Sequence, residues 1–279
     1  MTVLDDMFRD LRRAGRAALV GYLPAGYPDL ATSKDLFAAM TDAGCDLVEV
    51  GLPFSDPVLD GPVIQNAAHQ ALANGFRVRD IFDIVESITA RGGRAVVMTY
   101  FNPVLAYGVD AFARDLAAAG GAGVITPDLI VDEAGEWLAA VHAHEIDPIF
   151  LVAPSSPVER IALTAAATGG FLYAASVMGV TGARDRLSTA APELVARCRT
   201  VTDLPIGVGL GVRTAEQARQ IAGYADAVIV GSAFVSAAGR DGRNGLAALA
   251  EELARGIRSA DRADRTATFA PDLSGSVNK

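Results

Sequence analysis

Lysine is almost missing from this chain: Lys34 and Lys279 are the only two in 279 residues. Neither stands at the end of a candidate strand, so a Schiff-base mechanism, which needs a desolvated amine in the site, is disfavoured. Histidine is scarce as well. His69 falls in a predicted helix, and His142 and His144 sit two apart on another, where side chains diverge. A metal centre built on clustered imidazoles is therefore not expected, and surface or helix-packing roles are. The two cysteines, Cys45 and Cys198, lie in apolar surroundings, which suits buried free thiols better than a disulfide. No run approaches the ~20 apolar residues of a membrane helix. The N-terminus carries acids and lacks the apolar core of a signal peptide, so the expected compartment is the cytosol.

Positive charge is in deficit too. A formal net charge of -9 argues against nucleic acid and anionic membrane as partners. An anionic substrate would meet the same long-range repulsion, so any phosphate must be gripped by local donors.

What the chain does have is apolar material: 51% of its residues are hydrophobic and 20% charged, enough for a substantial core. Short apolar runs recur at 17–23, 47–52, 95–100, 123–126, 148–152, 171–176, 205–210 and 227–231. Helical patterns follow them at 35–43, 63–74, 110–119, 132–144, 157–167, 189–197, 214–222 and 244–257, with further helices at 4–13 and, in the second crossover, 78–90. Strands that alternate with helices pair in parallel, and near-continuous apolar strands are covered on both faces. Eight such units fit a closed (β/α)8 TIM barrel better than an open doubly wound sheet. No Ser-, Pro- or Gly-rich linker interrupts the series, so residues 1–258 are expected to form one domain. From 259 to 279 the periodicity is lost and polar residues dominate, which predicts a disordered tail.

The chain is organised around Asp46-Leu-Val-Glu-Val-Gly-Leu-Pro-Phe-Ser-Asp-Pro-Val-Leu-Asp-Gly-Pro62. Its first half alternates like a buried strand, with Glu49 on one face between Leu47 and Gly51. A carboxyl group there is costly to ionise, and its pKa is expected to rise. The second half, broken by Pro53, Asp56-Pro57 and Asp60-Gly61-Pro62, must be loop. Glu49 and Asp60 thus occupy unlike settings and can hold unlike protonation states, as paired acid/base work requires. A tolerated strand-end glutamate and a turn-forming aspartate would look the same.

Near the end of the series, Gly207-Val-Gly-Leu-Gly-Val-Arg-Thr214 and Val230-Gly-Ser-Ala-Phe234 close the last two strands. In barrels those two loops often hold phosphate through backbone N–H groups and a helix N-terminus. Ser232 can add a hydroxyl, and aligned N–H dipoles need no lysine. Tight packing at a turn is the alternative for each glycine. Val177-Met-Gly-Val-Thr-Gly-Ala-Arg184 reads either as a lid over a phosphorylated ligand or as an ordinary exposed loop.

Glu49-Val-Gly-Leu-Pro-Phe-Ser-Asp-Pro-Val-Leu-Asp-Gly-Pro-Val-Ile-Gln-Asn66 closely resembles the signature of the tryptophan synthase alpha chain family, and the likeness runs from about Leu4 to Arg258. In that family the barrel cleaves indole-3-glycerol phosphate to indole and glyceraldehyde 3-phosphate without metal or organic cofactor. The resemblance implies that Glu49 transfers protons at indole C3 and the glycerol hydroxyl. It implies that Asp60 binds the indole N–H, and that Tyr173 contacts the reacting substrate. Thr181 matches a lid threonine. Gly182, Gly209, Gly211, Gly231 and Ser232 match the phosphate grip, and Tyr22, Tyr100 and Leu210 match the indole pocket.

By the same resemblance a pyridoxal-phosphate beta chain receives indole in an alpha2beta2 complex, with Pro53, Phe54 and Asp56, and the loop Phe101-Asn102-Pro103, as candidate docking residues. There are departures. Tyr22-Leu-Pro-Ala-Gly-Tyr-Pro28 replaces a Phe-x-Thr-x-Gly-x-Pro form, which touches pocket details, and Val177 replaces an arginine found in some members. Two other readings stand beside the lyase: a different phosphate-binding barrel, which the Glu49/Asp60 signature opposes, and an inactive scaffolding subunit, which intact Glu49, Asp60 and Tyr173 oppose.

Overall fold

The computed structural model describes residues 1–175, 190–209 and 211–261. The expected lid residues Thr181 and Gly182, the pocket residue Leu210 and nearly all of the polar tail fall outside them. The strands are β1 (Ala18–Pro24), β2 (Leu47–Gly51), β3 (Ala95–Met98), β4 (Gly123–Ile125), β5 (Asp147–Ile149), β6 (Leu151–Val152), β7 (Leu172–Ala175), β8 (Ile206–Gly209) and β9 (Ala227–Val230). All pairings are parallel, in the order β5-β4-β3-β2-β1-β9-β8-β7-β6. The two ends of this sheet, β5 and β6, are separated by Phe150 alone. They are two halves of one stave, and the sheet comes round on itself as a barrel. The Phe150 carbonyl still accepts the Tyr173 N–H at 3.1 Å, which ties that stave to β7.

The period-two alternation sorts side chains into two sets. Outward residues such as Val48, Val50, Val97 and Val208 pack under the helices. Inward residues, among them Val20, Leu47, Val96, Ile149, Phe171 and Ile229, fill the lumen together with Leu4, Met7, Phe8 and Leu11 of helix α1 (Val3–Arg13). The capping box of Thr2 and Asp5 starts α1, and its apolar stripe plugs the N-terminal mouth of the barrel. With that end sealed, only the C-terminal mouth is left for chemistry.

The remaining helices are α2 (Leu30–Asp42), α3 (Pro62–Ala73), α4 (Asp80–Thr89), α5 (Phe101–Tyr107), α6 (Val109–Ala118), α7 (Gly135–Ala143), α8 (Val158–Ala167), α9 (Ala190–Arg199), α10 (Ala215–Ala222) and α11 (Ser232–Arg258). The second-crossover helix expected at 78–90 is α4. Three expectations need correction. Helix α2 starts at Leu30 rather than 35, because Asp29 caps it by accepting the Thr32 N–H. The last helix begins at Ser232 rather than 244 and bends at Gly242, whose φ of 60° interrupts it. Phe101-Asn102-Pro103, expected as a loop, is the first turn of α5. Proline is tolerated in a first turn, where its missing N–H has no helical partner to lose. The Phe101 N–H is bound instead by both carboxylate oxygens of Asp128, at 3.0 and 3.1 Å.

Both cysteines are free and buried. Lys34 lies on α2, His69 is exposed on α3, and His144 meets Asp110 at the surface at 2.9 Å. Among the described residues no three His, Cys, Asp or Glu gather as metal ligands, and no helix is long and apolar enough to cross a membrane.

Candidate active site

Three candidate side chains continue the inward rows of the lumen by one step towards the open mouth. Tyr22 follows Val20 on β1, Glu49 follows Leu47 on β2, and Tyr173 follows Phe171 on β7. Tyr22 and Glu49 are register partners on neighbouring strands, so they share a wall. Asp60 comes from the loop that leaves β2 and is likewise buried, at 8% exposure against 1% for Glu49. The two acids expected to act together therefore open onto the same end of the barrel. Tyr100, which caps α5, is buried beside them.

The electrostatics separate the acids. Burial in the apolar lumen pushes the Glu49 carboxyl from an ordinary 4.5 up to about 8, and the charge of Asp60 adds to the rise. Glu49 Oε2 has no hydrogen-bond partner, so nothing in its surroundings compensates an ionised form there. Asp60 is pushed up by burial only to about 6. The Tyr22 and Tyr173 phenols are driven well above their ordinary range, by burial first. For Tyr22 the charges of Asp60 and Glu49 follow, and for Tyr173 that of Glu49. Each of these groups feels one or both acids, as groups around one cavity must. At neutral pH the cavity holds one protonated and one ionised carboxyl group, with the phenols un-ionised.

Glycines shape the walls. A Cβ at Gly51 would lie 2.4 Å from the Tyr22 ring, so the bare backbone there is what lets Tyr22 fold against β2. A Cβ at Gly209 would lie 2.7 Å from the Tyr173 hydroxyl. Gly209 thus makes room for Tyr173, a packing role beside any contact with ligand. Gly211 has φ of 66°, a left-handed conformation that a side chain would strain. Gly231 is the N-cap of α11 and Ser232 its first residue. The opening N–H groups of a helix lack partners within it and its dipole points positive there, so this end of β9 offers an anion uncharged donors. Gly209, Gly211, Gly231 and Ser232 all stand at the C-terminal ends of β8 and β9, the same mouth onto which the acids open.

Two features were not legible in the sequence. The Leu59 N–H donates to the Tyr100 hydroxyl oxygen at 3.0 Å, and the Tyr100 ring stacks on Phe54 with centroids 5.1 Å apart. Also, Val58, Leu105 and Ile130 are exposed at 68%, 54% and 58%, one each on the segments following β2, β3 and β4. Long-range contacts of this kind leave no local sequence signal.

Known proteins provide an independent comparison. The sequence profile of the tryptophan synthase alpha chain family matches residues 8–262. The tryptophan synthase alpha chain of Mycolicibacterium paratuberculosis is 64% identical over 255 residues, covering 91% of this chain and 94% of that one. A solved structure of Mycobacterium tuberculosis tryptophan synthase superposes with a TM-score of 0.89 at 60% identity, covering 92% of this chain and 98% of that chain. A tryptophan synthase complex from Pyrococcus furiosus superposes at 0.78 with 33% identity, covering 85% and 98%. By sequence and by fold, the chain belongs to the tryptophan synthase alpha chain family.

Proposed function

We propose that this chain cleaves indole-3-glycerol phosphate by a retro-aldol step in which Glu49 and Asp60 divide the proton and charge handling. The observation that carries the reading is the pair of buried acids, held at about 8 and about 6, on one lumen mouth. Protonated Glu49 gives its proton to indole C3. Ionised Asp60 accepts the indole N–H and stabilises the positive charge that spreads to the ring nitrogen. The Glu49 carboxylate then takes the proton of the glycerol hydroxyl as the carbon–carbon bond breaks and the aldehyde forms, which returns Glu49 to its starting state. Tyr173 and Tyr22 wall the ring pocket with Tyr100, and the family likeness assigns Leu210 to the same pocket. The phosphate is held by Gly209, Gly211, Gly231 and Ser232, and the family likeness adds Thr181 and Gly182 to that grip. The direct test is indole release from indole-3-glycerol phosphate, with and without an added beta chain; a chain inactive in both conditions would return the scaffolding reading.

The active form under this scheme has Asp60 ionised and Glu49 protonated. kcat/KM is therefore expected to be bell-shaped in pH, rising near 6 and falling near 8 as the coupled pair titrates. Asp60→Asn should lower kcat and erase the rising limb; a variant that kept both limbs would take Asp60 out of the scheme.

The phosphate grip has its own test. Gly231 has an ordinary φ of -115°, and a Cβ there meets nothing closer than Tyr22 at 3.4 Å. Gly231→Asp therefore meets no clash at its Cβ, and it places a carboxylate where the phosphate is proposed to sit. KM is expected to rise about tenfold or more, as ~1.4 kcal/mol of repulsion would produce. An unchanged KM would move the phosphate elsewhere.

A beta-chain partner follows from the family, and pyridoxal phosphate would reside in that partner. The docking surface is assigned to Phe54 and Asp56 with Phe101 and Asn102 of the first turn of α5; Pro53 and Pro103, expected in it, are buried. The exposed apolar Val58, Leu105 and Ile130 lie on the segments that follow β2, β3 and β4 and would add apolar area to such an interface.

A further inference from the structure

The loop between β2 and α3 has no regular structure, yet within it the chain turns from Val58, exposed at 68%, to Asp60, exposed at 8%. A buried carboxylate on an irregular loop needs its backbone fixed by something outside the loop. The backbone is fixed in that way on either side of Asp60, one peptide group before it and at its own carbonyl. On one side the Leu59 N–H donates to the Tyr100 hydroxyl oxygen at 3.0 Å. On the other the Asp60 carbonyl accepts from Gln65 Nε2 at 2.8 Å. The Tyr100 ring also stacks on Phe54 at the start of the loop. Tyr100 itself is anchored through its backbone. It follows β3, its backbone caps α5, and the next N–H is bound by Asp128. Its phenol is pushed up by burial and lies within the field of Asp60.

We infer that Tyr100 is a positioning residue: its hydroxyl, by holding the Leu59 N–H, sets where the Asp60 carboxylate stands against the indole nitrogen. This rests on the lyase reading above and assigns the phenol oxygen a task distinct from that of the ring as pocket wall. Gln65 holds the Asp60 backbone carbonyl on the other side. A displacement of about 1 Å in such a group costs up to roughly a hundredfold in rate. Because the interaction serves the transition state through Asp60, the loss falls on kcat rather than on substrate binding.

The test is Tyr100→Phe, which keeps the ring and its stack on Phe54, assayed with the beta chain present. kcat is expected to fall roughly tenfold to a hundredfold with KM within about twofold of wild type. In an Asp60→Asn background the same change should have little further effect, since the group it positions is gone. A general structural role would instead lower kcat by the same factor in both backgrounds, and that result overturns the inference. So does a Tyr100→Phe enzyme that matches wild type. Amide exchange gives a second reading independent of turnover: the Leu59 N–H should lose protection in Tyr100→Phe while β3 and α5 keep theirs, and retained protection at Leu59 overturns the latch. Wild type without indole release would take down the lyase reading and this inference together, whereas an active wild type with an indifferent Tyr100→Phe takes down only the latter.

Discussion

Glu49→Gln is expected to lower kcat for indole release by ~10² to 10⁴-fold or more, since general acid/base transfer is worth about that much and Glu49 acts in both directions of transfer. Glutamine preserves the side chain's volume in a lumen where Glu49 is 1% exposed, so the fold is retained. It can neither give a proton to indole C3 nor take one from the glycerol hydroxyl. The loss should appear in kcat and kcat/KM alike, because the carboxyl group binds little of the ground state. Circular dichroism and glycerol phosphate binding should match wild type. Equal turnover by wild type and Glu49→Gln, with and without a beta chain, would remove Glu49 from the chemistry and the lyase assignment with it.

The barrel itself was legible because each of its staves carries its own signal. Buried parallel strands are short runs of β-branched and small apolar residues, and every one expected lies within about two residues of its observed position. Failures arise where a distant residue decides the local structure. Helix α5 was hidden because Pro103 reads as a breaker unless it stands in a first turn, and the carboxylate that binds the start of that turn, Asp128, is 27 positions away. The first part of α11 was hidden because its early residues, including Gly239 and Gly242, read as a loop; it is held in place by packing, with Phe234 and Val235 buried against the barrel.

The site divides in the same way. Glu49 could be read as buried and hard to ionise because strand alternation fixes the face on which it lies. The sequence could also put Asp60 on the loop leaving that strand. It could not say that this loop turns back into the lumen, because Tyr100, Phe54 and Gln65 hold it through bonds and a ring contact across separate elements. Gly51 and Gly209 teach a related lesson. Gly51 could be taken for an ordinary strand residue and Gly209 for a phosphate contact, yet each lies where a neighbouring tyrosine ring leaves no room for a Cβ. Departures at Tyr22 make sense beside Gly51, which accepts the larger phenol.

The acid that drives the chemistry should also destabilise the fold. Glu49 ionises at about 8 in the folded chain and at an ordinary 4.5 when unfolded. Below pH 4.5 the carboxyl group is protonated in both states and costs nothing through titration. Between 4.5 and 8 the unfolded chain releases a proton that the folded chain retains, so stability falls as pH rises through this window, and above 8 the loss is complete. The amide that replaces the carboxyl group in Glu49→Gln does not titrate. The stability gap between Glu49→Gln and wild type is therefore expected to widen from pH 4.5 to 8 by roughly 3–5 kcal/mol, at about 1.4 kcal/mol per pKa unit, and then to level off. Urea unfolding of both proteins at several pH values measures this gap directly. Asp60 contributes a smaller change of the same sign, between its ordinary 3.8 and about 6, and cancels in the comparison to the extent that it titrates alike in both proteins. A gap that stayed flat across the window would mean that Glu49 is solvated, and a solvated carboxyl group at the lumen mouth would not keep its proton for indole C3 at neutral pH.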